Sequence, residues 1–183
     1  MDFSKFRGDF YMETILKRKS VRSYTGESIT DEELSVILKA ADVSPVGLKQ
    51  YDKLHLTIIT NKDLLAEIEK SAGAMFGKED FHPLYGAPIL IIISSKYMEH
   101  MENVMYSNAA IMAHNLSLAA TFINVGSCYI WGATASISKN TDILAKLDLP
   151  SGFVPCCAVC LGKTNEDFAE REIVEKISKT YIK

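Results

Sequence analysis

Apolar positions recur along this chain with two periods, and the switches between them mark out its elements. Residues 9–19 place Phe10, Ile15 and Leu16 among good helix formers, which predicts a helix ending near Ser20. The following VRSYTG is expected to be extended. Thr30-Asp-Glu-Glu33 is a capping box. The helix it opens carries Leu34, Ile37, Leu38 and Ala41 on one face. Pro45 stops that helix and Gly47 frees the next loop. Leu54–Thr60, rich in β-branched residues, predicts a strand, and Asn61 caps a helix through about Lys70. Residues 71–86 read as a loop, with Gly73, Gly77, Pro83 and Gly86. Pro88 then precedes ILIIIS, an unbroken apolar run expected to be a strand buried on both faces.

The longest helical pattern spans residues 103–125. Ala109, Ala113, Leu116 and Ala120 recur at helical spacing, and the neighbouring faces are apolar too, so this helix should be buried. Its small residues permit close helix–helix approach, as at a subunit interface. Gly126 is expected to end it as a left-handed cap. SCYIW follows as a short apolar segment. Ser138 is expected to cap a helix to about Leu147, and Phe153–Leu161 reads as the last clear strand. Three strands and about five helices predict an α+β domain. The tail EREIVEKISKTYIK is either a final helix or an arm laid across a partner.

Composition narrows the classes. The 183 residues suit one domain, and a net charge of −3 does not favour nucleic acid as a partner. The N-terminal residues carry charges throughout, and no apolar run is long enough to span a membrane, so a cytoplasmic protein is expected. Three of the four cysteines crowd into VPCCAVCLG. Cys157-x-x-Cys160 admits a thiol or metal reading, but its neighbours read as a buried strand and no second Cys or His pair stands at zinc spacing. No metal site is expected.

Four local features bear on chemistry. In an extended segment Arg18, Ser20 and Arg22 point to one side, suiting a phosphate and an electron-rich ring edge. The alternative is a solvated basic helix end. Ser44–Gln50 is a Pro/Gly loop that either gathers backbone amides and a polar side chain or merely connects. Gly126–Gly132 ends in Ile130, Trp131 and Gly132, where glycine permits close approach to a flat ligand and Trp131 either covers it or anchors the core. Lys163 and Arg171 either finish a phosphate site or are surface charge.

The order of these features carries the reading. R-x-S-x-R, a Pro/Gly–Gln loop, Gly-Ala-Pro before a strand, N-x-A-x-M-A-H-N-L-x-L-A-A, G-S-C-Y-I-W-G and a final strand ending Gly-Lys follow one another over about residues 12–163. The series resembles the nitroreductase family of FMN-dependent oxidoreductases. That resemblance implies an α+β, nitroreductase-like fold, a mixed β-sheet surrounded by helices, in an interlocked homodimer with FMN sites at the interface. Residues 1–183 would form one FMN-binding domain, with 164–183 as an arm contacting the partner subunit.

By the same resemblance Arg18 and Ser20 would contact the FMN phosphate, with Lys19 helping. Arg22 would approach the N1/O2 edge of the ring. Pro45, Gly47, Lys49 and Gln50 would address the flavin from the partner-facing side. This loop is one residue shorter than the family's, lacks its Asn, and has Tyr51-Asp52 in place of Pro-Trp. Ile130, Trp131 and Gly132 would lie near N5, with the Gly132 amide there. Lys163 or Arg171 would complete the phosphate site. Asn108 and His114 match polar positions of the central helix, although His114 also reads as an ordinary helical histidine. The implied reaction is ping-pong: NADH or NADPH reduces FMN, which then reduces a nitroaromatic, quinone or other small acceptor. The chain is short for the family, which implies an open pocket. The alternatives are a flavin reductase, dehalogenase or ring-oxidising relative, and a flavin-binding protein that stores or senses FMN without turnover.

Overall fold

The computed structural model describes residues 9–78 and 80–183, with side chains from Met12 onward. Residues 1–8, where part of the charged N-terminus falls, and the Phe10 side chain expected on the first helix lie outside the described residues.

Helix α1 (Asp9–Lys17) leads into the segment read as extended. That segment forms no regular strand, but it lies alongside the sheet: the Val21 amide donates to Ser127 O at 2.9 Å, and the Thr25 amide to Lys163 O at 3.0 Å. Helix α2 (Asp31–Asp42) opens on the predicted capping box, the Glu33 amide donating to Thr30 Oγ1 and the Thr30 amide to Glu33 Oε2. Two 3-10 turns, Gly47–Lys49 and Tyr51–Lys53, lead to strand β1 (Leu54–Ile59). Helix α3 (Lys62–Phe76) follows the Asn61 cap. It runs past Lys70 into the stretch read as a loop. Ala72 and Gly73 are buried there, and packing outweighs the cost of about 1 kcal/mol for a helical glycine.

Strand β2 (Ile89–Lys96) precedes helix α4 (Glu102–Phe122). Gly126 does not cap α4. Asn124 takes the left-handed conformation at φ 57°, and Gly126 opens strand β3 (Gly126–Ile130), where a Cβ would stand 3.0 Å from Gly162 O. The glycine thus serves close strand approach. A further helix, α5 (Gly132–Ile137), follows β3, and Ser138 ends it. The cap expected at Ser138 belongs to Asn140, whose Oδ1 accepts the Asp142 and Ile143 amides and opens α6 (Thr141–Lys146). Strand β4 (Phe153–Gly162) completes the sheet.

The fold is α+β, with sheet order β1-β2-β4-β3. The SCYIW segment supplies the fourth strand. The expectation of a mixed sheet is corrected, because all three described pairings are antiparallel. The alternating faces of β2 explain its unbroken apolar run. Ile89, Ile91 and Ile93 meet α2 and α4 residues, while Leu90 and Ile92 meet α3, α5 and α6 residues. Residues 164–183 form neither helix nor strand, which removes the final-helix alternative and leaves an arm. No described helix is long and apolar enough to cross a membrane.

Candidate functional site

Where α1 ends, the Val21–Ser127 bond pins residues 18–20 beside the edge of β3. A cavity of about 150 Å³ opens between this segment, α4 and β3. Arg18, Lys19 and Ser20 form one wall, and Ser127 and Tyr129 of β3 another. Helix α4 lines it with Ala110, Ala113, His114 and Ser117. Those four share one helical face because they recur at spacings of three and four.

The cavity is built around an uncompensated cation. Arg18 has no ion-pair partner among the described residues, and its pKa is held below the ordinary guanidinium value by burial and by the charge of Arg171. Arg171 is fixed by donating Nε to Leu16 O and Nη2 to Ile15 O, each at 3.0 Å, on the carbonyl end of α1. Arg171 is thus fixed at the same helix end from which Arg18 reaches the cavity wall, and no described carboxylate forms an ion pair with either guanidinium. Such an arrangement suits an anion with several oxygens.

The other predicted residues divide. Ser20 lines the cavity, close enough to the Cys128 thiol to bear on its pKa. Lys19 borders the cavity, but its Nζ is paired with Glu166 Oε2 at 2.8 Å and donates to Asp167 O. Arg22 does not line the cavity. It is exposed, and its amide donates to Glu166 Oε1. Lys163 is drawn elsewhere: its Nζ pairs with Glu33 and holds the start of α2 to the end of β4. Arg171, not Lys163, is the C-terminal cation beside Arg18.

Pro45, Gly47, Lys49 and Gln50 are not brought to this cavity within the chain. The Gly47 amide donates to Asn108 Oδ1 at 3.0 Å, and Asn115 Nδ2 donates to Ser44 Oγ at 2.8 Å. At about 100° per residue, Asn108 and Asn115 lie on the face of α4 roughly opposite Ala110, Ala113 and Ser117. The loop and the cavity are therefore separated by the helix itself. Leu48 and Lys49 both take left-handed φ, at 58° and 55°, a strain of roughly 1–3 kcal/mol each. The strained turn presents Leu48 and Lys49 outward.

Ile130 is buried in the core, whereas Trp131 is 68% exposed. Trp131 tilts against Phe76 with ring centroids 6.1 Å apart, and Phe76 meets Phe81 edge-on at 5.1 Å. A Cβ on Gly132 would meet both phenylalanines at 3.3–3.4 Å, so this glycine admits the ring pair. Phe76 and Trp131 border a pocket of about 480 Å³ shared with Tyr106, Lys139 and Cys156. Tyr106, Ala110 and His114 follow one another at every fourth position of α4. Tyr129 and Trp131 stand two apart at the end of β3. One row of positions therefore joins the aromatic pocket to the cationic cavity.

The cysteines are strand residues. Cys128 faces Cys160 across β3 and β4, and all four thiols are free. Burial pushes Cys156 up to about 11 and Cys157 up to about 12, and Cys160 is also raised. They are poor nucleophiles. Sequence reasoning missed Ser117, Ser127 and Tyr129. The small-residue row Ala110–Ala113–Ser117 was the signal available.

A further apolar groove of about 600 Å³ lies between α1, α2 and α4, bordered by Ile15, Val36, Val43, Leu118 and Phe122. Val43 is 77% and Phe122 65% exposed. The arm adds Ile173, Val174, Ile177 and Ile182, all exposed.

The sequence model of the nitroreductase family matches residues 15–163. The chain is 26% identical over 164 residues to an inferred NADH dehydrogenase/NAD(P)H nitroreductase of Archaeoglobus fulgidus, covering 88% of this chain and 90% of that one. Its fold superposes on a Bacteroides fragilis nitroreductase with bound FMN at a TM-score of 0.79 and 26% identity, covering 94% and 98% of the two chains. A Desulfitobacterium hafniense nitroreductase with bound FMN gives a TM-score of 0.83 at 21% identity, covering 96% and 99%. With the family match spanning most of the chain and the fold shared over more than nine-tenths of it, this chain belongs to the nitroreductase family.

Proposed function

We propose that this protein is an FMN-dependent NAD(P)H oxidoreductase that reduces small planar acceptors such as nitroaromatics or quinones and works as a homodimer. The observation that carries the reading is Arg18: a partly buried guanidinium with no ion-pair partner among the described residues, under the charge of Arg171, in a cavity that Lys19, Ser20, His114, Ser117, Ser127 and Tyr129 also line. The FMN phosphate fits that donor set. Arg18, Arg171 and Ser20 would grip it, and Lys19 would hold the arm in place through Glu166. Bound FMN would supply two-electron chemistry, accepting hydride from NADH or NADPH and delivering it to the acceptor.

The chain's own residues would orient and shield. The α4 row from His114 through Ala110 to Tyr106 leads from the phosphate grip toward the aromatic pocket, where Trp131 and Phe76 offer faces to a flat acceptor. The amide of Gly132 and the backbone of Ile130 and Trp131 border that end. Arg22, exposed at the margin, would approach the ring edge only if its side chain swings from Ser20 O, to which it donates at a long 3.5 Å.

Pro45, Gly47, Lys49 and Gln50 sit across α4 from their own cavity, so they serve a site only through a second copy. Exposed Ile111 and Phe122 on α4 with half-buried Leu118 between them, the adjoining groove, and the apolar arm supply the surface such a copy would cover. Residues 164–171 of the arm are tied to this chain's own residues 15–23, so the reading of 164–183 as a partner-facing arm is kept only for residues 172–183, which are proposed to lie on the partner.

The absorption spectrum of the purified protein tests this directly. Flavin bands, FMN released on denaturation, and NADH or NADPH oxidation coupled to menadione or a nitroaromatic are expected. Flavin bound without turnover would instead give a storage or sensing protein. A colourless protein that takes up no added FMN would refute both.

A further inference from the structure

We infer that His114 is an additional ligand of the flavin phosphate and that it makes cofactor binding proton-linked. The inference rests on the flavin reading above and goes beyond it in naming a titrating group in the phosphate grip.

The geometry places His114 on the α4 wall of the cavity that Arg18, Lys19 and Ser20 close from the other side. It is the one histidine on α4. The residue is exposed overall and lines the cavity, and no described hydrogen bond or ion pair occupies its ring. The groups facing it are few. Residues 18–20 contribute Arg18 and the Glu166-paired Lys19. The arm contributes Arg171 beside Arg18. Strand β3 contributes Tyr129 and, beneath Ser20, Cys128. On α4 itself the nearest titratable side chain is Tyr106, two turns away.

Burial and the Arg18 charge both hold the His114 pKa below its ordinary value, so the ring is neutral near pH 7 in the free site. A phosphate dianion in the same cavity reverses that field and favours the imidazolium, which then donates to a phosphate oxygen. The pKa of His114 is therefore higher with flavin bound than without it. Binding takes up a proton, and affinity falls as pH rises through the bound-state pKa.

Other groups do not imitate this sign. The phosphate's own second ionisation lies near about 6, and cations push it lower, so it strengthens binding as pH rises and is complete above about pH 7. Tyr129 and Cys128 are both pushed up by burial and stay neutral in this range.

The test is the dissociation constant of the flavin-free full chain for FMN, read by flavin fluorescence. It is measured between about pH 6.5 and about pH 8.5 for the wild type and His114→Gln, with riboflavin as the probe lacking phosphate. Wild-type affinity for FMN should weaken about tenfold across the range, the size expected from a shift of about one pKa unit or somewhat more. His114→Gln should change by less than about twofold, and riboflavin should show no slope with either protein. The glutamine is near in size and replaces an exposed side chain, and circular dichroism checks its fold. A second measurement needs no variant: mixing wild type with FMN in weak buffer near pH 7 should consume protons. A flat wild-type profile, an unchanged slope in His114→Gln, or proton release on mixing would overturn the inference while leaving the flavin site standing. Absence of FMN binding by wild type at every pH would overturn the flavin site and the inference together.

Discussion

Replacing Arg18 by alanine separates a binding role from a structural one, because the two predict opposite signs. In the protein without ligand, Arg18 is partly buried, lacks an ion-pair partner among the described residues, and feels the repulsion of Arg171. Removing it should leave the ligand-free protein as stable as before or slightly more so. With FMN the sign reverses. A hydrogen bond to a charged group contributes about 1.5–3 kcal/mol. A guanidinium donates two such bonds to a phosphate, so allowing for partial replacement by Arg171 the loss is about 3 kcal/mol, or roughly 100-fold in affinity. At a ligand concentration about 100 times the wild-type Kd, the wild type gains about 2.7 kcal/mol of stability. The variant at the same concentration gains only about 0.4 kcal/mol. For a chain of 183 residues that corresponds to a Tm rise of roughly 5–11 °C for wild type and about 1–2 °C for the variant. Thermal melts with and without FMN read both numbers. An Arg18→Ala protein that melts several degrees lower without ligand, yet keeps the full FMN-induced rise, would refute the reasoning.

Further outcomes follow from single contacts. Trp131→Ala should raise KM for a nitroaromatic about fivefold, the equivalent of about 1 kcal/mol of ring contact, with FMN affinity unchanged; an unaltered KM in steady-state assays would remove Trp131 from the acceptor pocket. Gly162→Ala should destabilise the fold by about 2 kcal/mol or more, because its Cβ would stand 2.5 Å from Pro88 Cδ and 3.0 Å from the Tyr24 ring; a urea midpoint equal to wild type would contradict that packing. Lys163 and the Thr30 contacts hold the Glu33 carboxyl below the usual carboxylate range. Its contribution is therefore present above about pH 4.3 and lost as pH falls through the lower folded-state value. Glu33→Gln should cost about 1 kcal/mol at pH 7 and flatten the acid limb of the stability profile, and an unchanged acid limb would assign that limb to other groups.

Local signals proved readable wherever both partners lie a few residues apart. Thr30 and Glu33 form the predicted capping box, Asn61 caps α3, and the unbroken β2 run is buried on both faces. The signals failed where a distant partner decides. Gly73 looked like a break, but burial keeps α3 intact. Gly126 looked like a cap, but Gly162 across the sheet requires its missing side chain. Short α5 has no side-chain cap to announce it. The site divides in the same way. Arg18 and Ser20 lie within one short segment and meet in one cavity, whereas the choice between Lys163 and Arg171 depended on Glu33, 130 positions away from Lys163. The position of the Ser44–Gln50 loop depended on Asn108 and Asn115, which no local pattern ties to it.

Arg18 and Arg171 at the end of α1 are proposed to receive the flavin phosphate. A crystal structure of the protein with FMN tests this most directly. The phosphate should lie between Arg18 and Arg171 beside Ser20, with the loop of residues 44–50 from a second copy near the ring. A phosphate seated at Lys163, or a ring held entirely by one chain with its own loop, would contradict the account.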